Sequence, residues 1–202
     1  MATATPQDEV VMPMVAVTEP NAGTTVIEST GNLWVAPVGT AMPTDYTGPA
    51  TPWVNVGHIS TDGPRPTGWN RDANRFYSWN SPNKPIRSYP SPAEPQFQAD
   101  LLEVNTQTLQ LFFGGGTVVL GTPPAPDKYT PPTGDPVEQA LIVDWWDGTR
   151  QYRWTFARTM PIAGGDITLA SGDLALFPVR FDVLLPADGS AMFTLMKPGT
   201  GP

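Results

Sequence analysis

The sequence predicts a mainly β protein, an antiparallel β-sandwich or open barrel with one short flanking helix and long proline-rich loops. Three observations carry this: short runs in which apolar and polar residues alternate, a single window with helical period, and two proline-rich stretches, 61–95 and 121–136, between the runs. A chain of 202 residues is long enough for one good core, and the pattern favours one domain, 31–202, preceded by an arm, 1–30.

The arm holds Pro, Thr, Ala and Gly with scattered acids and no strong period. Leu33-Trp34-Val35-Ala36-Pro37-Val38 is the first predicted strand, and Pro37 limits its pairing to an edge or bulge. Trp53 to Ile59 is the second, broken by Asp62-Gly63. Gln96 to Val104 places Phe97, Ala99 and Leu101 on one face, the mark of a half-buried strand. A short helix follows: Asn105 is a good N-cap, Leu109, Phe112 and Phe113 recur at i, i+3 and i+4, and Gly114 supplies the left-handed stop. A helix this short is unstable alone, so its apolar stripe must lie on a sheet.

The strongest hairpin signal runs from Gln139 to Arg158 around Asp147-Gly148. With those two residues as the turn, Trp146 faces Thr149, Val143 faces Tyr152 and Leu141 faces Trp154. One face is then apolar. The other, with Asp144, Trp146, Gln151, Arg153 and Thr155, must meet water or a second polar layer, and Asp144 sits diagonal to Arg153. Ile167 to Ala170 is a short strand, Leu174 to Leu185 alternates through Phe177, Val179, Phe181 and Val183, and a turn at 187–190 leads to a last strand within Ala191 to Lys197. The sum is about seven strands.

The stretch 61–95 stands apart. Pro64, Pro66, Pro82, Pro85, Pro90, Pro92 and Pro95 argue against a helix or central strand, yet Trp69, Phe76, Tyr77, Trp79, Ile86 and Tyr89 are residues that flexible linkers lack. Ordering it costs roughly 35 kcal/mol of backbone entropy at about 1 kcal/mol per residue. Offsetting that requires roughly 1400 Å² of apolar burial, the scale of a protein interface. The stretch is expected to dock on a neighbouring subunit; the alternative is a loop lying over its own domain.

Charge points the same way. The net charge of −8 argues against a nucleic-acid-binding face. Before Thr61 there is no Lys or Arg, against Asp8, Glu9, Glu19, Glu28 and Asp45, while 61–95 holds Arg65, Arg71, Arg75, Lys84 and Arg87 against Asp62, Asp72 and Glu94. A basic loop on an acidic body suits docking between identical subunits, although solvated charge gives the same pattern. The candidate interface residues are Arg65, Arg71, Arg75, Phe76, Tyr77, Trp79, Arg87 and Tyr89.

Catalytic chemistry finds little footing. Cys 0 removes thiolate nucleophiles, disulfides and thiolate metal sites, and His58, the single histidine, removes histidine clusters. Gly114-Gly115-Gly116 follows a helix where a phosphate loop would precede one, and Asp166, Asp173, Asp182 and Asp188 lack calcium-loop spacing. No cofactor, metal or catalytic residue is expected. The N-terminus lacks the pattern of a secretory signal, and no run approaches the roughly 18 apolar residues of a membrane span, so a soluble, unexported chain is expected.

Gly31-Asn32-Leu33-Trp34-Val35-Ala36-Pro37-Val38-Gly39-Thr40-Ala41-Met42-Pro43-Thr44-Asp45, followed by Trp53-Val54-Asn55-Val56-Gly57-His58-Ile59-Ser60-Thr61-Asp62-Gly63, resembles the start of major tail proteins, the tail tube subunits of long, non-contractile-tailed bacteriophages. The order of elements continues the likeness to Lys197. The resemblance implies a β-sandwich with a flanking helix, six copies in a ring, and rings stacked into a tube that conducts the genome. It implies as partners other copies, the tape measure, terminator and distal tail proteins, and passing DNA held without specific binding. Membranes and cofactors have no part in it. The place is the virion tail, assembled in the host cytoplasm. The proline content of 61–95 and the length of 121–136 depart from the family pattern. Alternatives are a tail terminator or distal tail ring on the same fold, or a carbohydrate-binding β-sandwich displaying Trp69, Trp79 and Trp146.

Overall fold

The computed structural model describes residues 30–199, so the predicted arm lies outside the described residues except for Thr30. The chain runs β1 (Thr30–Pro37), β2 (Val54–Asn55), β3 (Arg65–Thr67), β4 (Ala73–Ser78), β5 (Ser81–Pro90), β6 (Gln96–Leu101), α1 (Thr106–Phe113), β7 (Thr117–Val119), β8 (Lys128–Thr130), β9 (Gln139–Asp147), β10 (Arg150–Ala163), β11 (Phe177–Val183) and β12 (Thr194–Met196). Among the described residues the protein is mainly β and antiparallel with one helix, as predicted. Its strands are more numerous than predicted because 61–95 contains β3, β4 and β5, and 121–136 contains β8, which pairs with β7 just before that stretch. The main sheet has the order β2-β1-β9-β10-β11-β6-β3, with β12 paired to β10, and two small sheets join β4 to β5 and β7 to β8.

Alternation explains the core. Leu33 and Val35 of β1, Phe97, Ala99 and Leu101 of β6, Leu141 and Val143 of β9, Phe156 of β10, and Phe177, Val179, Phe181 and Val183 of β11 form one buried cluster with Leu111 and Phe112 of α1. Strands distant in the sheet order, β1 and β6, share this cluster, and across β11 the Phe97 ring of β6 lies 5.6 Å from Phe156 and 5.8 Å from Trp154 of β10. The sheet therefore curls over its own apolar face.

The run Trp53–Ile59, predicted as one strand, is divided at Gly57. Before it, β2 pairs with β1, and the Val56 amide donates to the Leu33 carbonyl at 3.0 Å. After it, the Ser60 amide donates to Asp100 and the Leu102 amide to His58, at 2.8 and 3.0 Å, while Ile59 bridges Leu101. One segment thus links the two sides of the curled sheet. Gly57 permits this because its φ is +95° and a Cβ there would strike the Glu103 carboxylate. That carboxylate accepts from the His58 amide and Asn105 Nδ2, which together hold it below its ordinary pKa.

The helix has its predicted caps. Asn105 Oδ1 accepts from the Thr108 amide at 2.8 Å, and Gly114 is left-handed. Its buried stripe is Thr108, Leu111 and Phe112, one residue round from the predicted one. Leu109 is half-buried, and Phe113 faces outward to stack on Tyr129 of β8 at 5.5 Å. The proline-rich stretch 121–136 supplies this partner, and the Tyr129 hydroxyl donates to the Gly115 carbonyl at 2.6 Å.

The largest correction concerns β9 and β10. Asp147 pairs with Arg150, so the turn residues are Gly148 and Thr149, not Asp147 and Gly148. Gly148 has φ +59° and no non-glycine described has positive φ, which is the type II′ pattern. The register moves by two residues. Parity survives, so the predicted faces hold, but Asp144 now lies directly opposite Arg153. The two form a bidentate pair at 2.6 and 2.8 Å, both almost fully buried, and Arg153 Nη1 donates onward to the carbonyls of Asp45 and Thr47 at 2.7 and 3.0 Å. Residues 40–53 thereby cover the second face, where Trp53 packs with Ala36, Ala140 and Ile142.

At the bulge between Phe156 and Thr159, β10 bends, and its later half pairs with β11. The predicted strand 167–170 reduces to a bridge between Thr168 and Leu176, and the terminal strand contracts to β12. Pro37 ends β1, whose pairing with β9 runs the whole strand, so the predicted limit on pairing applies only beyond it.

Candidate subunit interface

The stretch 61–95 is anchored at its base and free above it. β3 pairs with β6, and Arg65 Nη2 meets Asp100 Oδ2 at 2.8 Å. Trp69 packs edge-on against Phe193, ring centres 4.9 Å apart. The Ser91 amide donates to the Asp72 carbonyl at 2.7 Å. Above these contacts β4 and β5 form a hairpin: Ala73 pairs with Pro90, Asn74 with Tyr89, Arg75 with Ser88, Phe76 with Arg87, Tyr77 with Pro85 and Ser78 with Ser81.

A loop without regular structure is thus replaced by a β-ribbon, despite Pro82, Pro85 and Pro90 in β5. In a two-stranded sheet each strand is an edge, so a missing N–H can face outward. The register shifts around Tyr77 absorb the remaining misfit.

The ribbon is exposed along nearly its whole length. Pairing and alternation put Asn74, Phe76, Arg87 and Tyr89 on one face, and Arg75 and Ser88 on the other. Phe76 and Tyr89 are 55% and 61% exposed, and Trp79, at the tip, 97%. A two-stranded hairpin is marginal in water by itself, and apolar groups clustered at one exposed place mark a contact surface. Of the predicted residues the ribbon brings together Arg75, Phe76, Tyr77, Arg87 and Tyr89, with Trp79 at the tip and Arg71 before β4. Arg65 does not join them: its charge is engaged within the chain. Sequence reasoning missed Asp100 and Phe193, the anchors. Asp100 was visible only as a polar position on an alternating strand, and nothing local marks Phe193.

Trp69, Trp79 and Trp146 fall on three separate elements, the first against Phe193, the second at the ribbon tip and the third in β9. No common sugar platform arises from them. Trp145, on the opposite face of β9 from Trp146, stacks on Tyr152 at 5.5 Å, inside the packed aromatic group. Among the described residues no three His, Asp or Glu side chains group as metal ligands, and no helix is long and apolar enough to cross a membrane. The site is an exposed aromatic and basic surface.

A family model described as phage tail tube protein matches residues 18–200. No curated protein matches the chain.

Proposed function

The chain belongs to the phage tail tube protein family, and from that premise we propose that it works by self-assembly, six copies closing a ring and rings stacking into the tube of a long, non-contractile tail. It is a structural component of the virion. The proposed tube conducts the genome at ejection and needs no cofactor or catalytic residue. In this reading residues 31–202 form the tube domain and 1–30 an arm. Assembly takes place in the host cytoplasm, and the tube meets the tape measure, terminator and distal tail proteins at its ends.

The observation that carries the reading is the β4–β5 ribbon, whose aromatic and basic side chains stand clear of the body that anchors it. Docked on a neighbouring copy, Phe76, Tyr77, Trp79 and Tyr89 would leave water and Arg71, Arg75 and Arg87 would meet its acidic surface. A net charge of −8 suits a conduit, because basic walls would bind DNA phosphates and slow passage. Negative-stain microscopy and sedimentation of concentrated chain test the proposal. Stacked rings or tubes are expected. A monomer under every salt and crowding condition overturns it, and a single ring that never stacks assigns the chain to a terminator or distal ring instead.

A further inference from the structure

Where the base of the ribbon meets the body there is a small cavity walled almost entirely by aromatic rings. Its volume is about 200 Å³, and Pro66 of β3, Trp69, Trp154 and Phe156 of β10, and Phe193 ahead of β12 line it. The rings follow one another around it. Trp69 meets Phe193 at 4.9 Å and 78°, Phe193 meets Phe156 at 6.1 Å and 35°, and Phe156 meets Trp154 at 6.1 Å and 81°. Trp69 and Phe193 are 40% and 37% exposed and Phe156 1%, so the cavity has an open rim and a buried floor. Pro66 is its one aliphatic wall, and no polar surface faces into it.

We infer that this cavity is an aromatic cage for a quaternary ammonium group, the head of a choline-like ligand. Ring faces carry partial negative charge and attract a cation, and the methyl groups of a quaternary head suit apolar walls. Other ligand classes fit less well. Sugar hydroxyls and peptide amides and carbonyls would leave water without a hydrogen-bonding partner here. The ammonium of a lysine would need acceptors that the walls lack. An anion would meet a chain of net charge −8, whose field instead draws a cation in. Size agrees as well: apolar cavities of about 150 Å³ take up benzene, and a trimethylammonium head is of similar bulk.

The walls come from two parts of the molecule. Pro66 and Trp69 belong to the base of the ribbon, and Trp154, Phe156 and Phe193 belong to the body, so an occupied cage fastens one to the other. The site is separate from the proposed assembly and stands whether or not copies associate.

Titration of the full chain with choline chloride and with dimethylbutanol, the neutral isostere that carries a tert-butyl group in place of trimethylammonium, tests the inference. Tryptophan fluorescence and ligand-observed NMR, at constant ionic strength, read the binding. Choline is expected to bind in the millimolar range and about tenfold more tightly than the alcohol. Trp69→Leu keeps an apolar rim and removes a ring face, so it should weaken choline about tenfold and the alcohol little. Phe193→Leu should act in the same direction, with circular dichroism of both variants matching wild type. Equal affinities for choline and the alcohol overturn the cation assignment, and that comparison on the wild-type chain needs no variant. Absence of saturable choline binding, or binding unchanged in both folded variants, overturns the site.

Discussion

The hairpins β4–β5 and β9–β10 share their local chemistry, antiparallel pairing closed by a tight turn, yet they occupy opposite extremes of burial. β9 and β10 are covered on one face by the common core and on the other by residues 40–53, tied through Arg153. β4 and β5 are exposed on both faces. Backbone hydrogen bonds alone leave a hairpin marginal, so what separates the two is what covers their side chains. In β9–β10 the cover belongs to the same chain. In β4–β5 no described residue of the chain supplies it, and under the proposed assembly that division separates the residues that hold the fold from those available for contact.

Removing the carboxylate beneath the covered hairpin should have the largest effect. Asp144→Ala strands the buried Arg153 guanidinium without its partner, and urea unfolding should show a loss of about 3–5 kcal/mol. Asp144→Leu with Arg153→Met should recover much of it, since an apolar pair avoids the unpaired charge. A single variant as stable as wild type would mean that residues 40–53 do not seal this face.

The turn gives a smaller effect and checks the register. Gly148→Val forces a β-branched residue to positive φ and should cost about 1–2 kcal/mol, although a Cβ at this position meets no atom within 4 Å. Asp147→Val should cost less, because Asp147 is a strand residue paired with Arg150. Equal losses would return the turn to Asp147-Gly148 and undo the directly opposed ion pair.

The smallest effect on folding belongs to the ribbon. Trp79→Ala should change the stability of the dissociated chain by less than about 0.5 kcal/mol, as at other exposed sites, while weakening assembly. Thermal unfolding and sedimentation separate the two. A marked loss of monomer stability would place Trp79 in the fold and not in the interface.

Where patterns were local, the sequence was a reliable guide. Phe97, Ala99 and Leu101 on β6, the four apolar positions of β11, and both caps of α1 were legible because period and capping depend on residues a few places apart. The β9–β10 register was misread because a two-residue slip preserves every face, so alternation cannot detect it; the direct Asp144–Arg153 opposition is the sign that decides. The 61–95 stretch was misread for another reason. Its prolines were weighed as if every strand had two neighbours, and in a ribbon each strand keeps one free edge. Its aromatic and basic content was legible throughout, as was its contrast with the acidic residues before Thr61.

By itself the sequence determined the β class, the helix, the faces of the core strands and the family likeness, since each rests on short-range spacing or on composition. Only the tertiary structure decided that Gly57 divides one run between two sides of the sheet, that Arg153 fastens residues 40–53, and that Arg65 is an anchor while Phe76, Trp79 and Tyr89 stand in solvent. These depend on which distant segments meet, because burial and charge pairing belong to pairs of segments and neither segment alone encodes them.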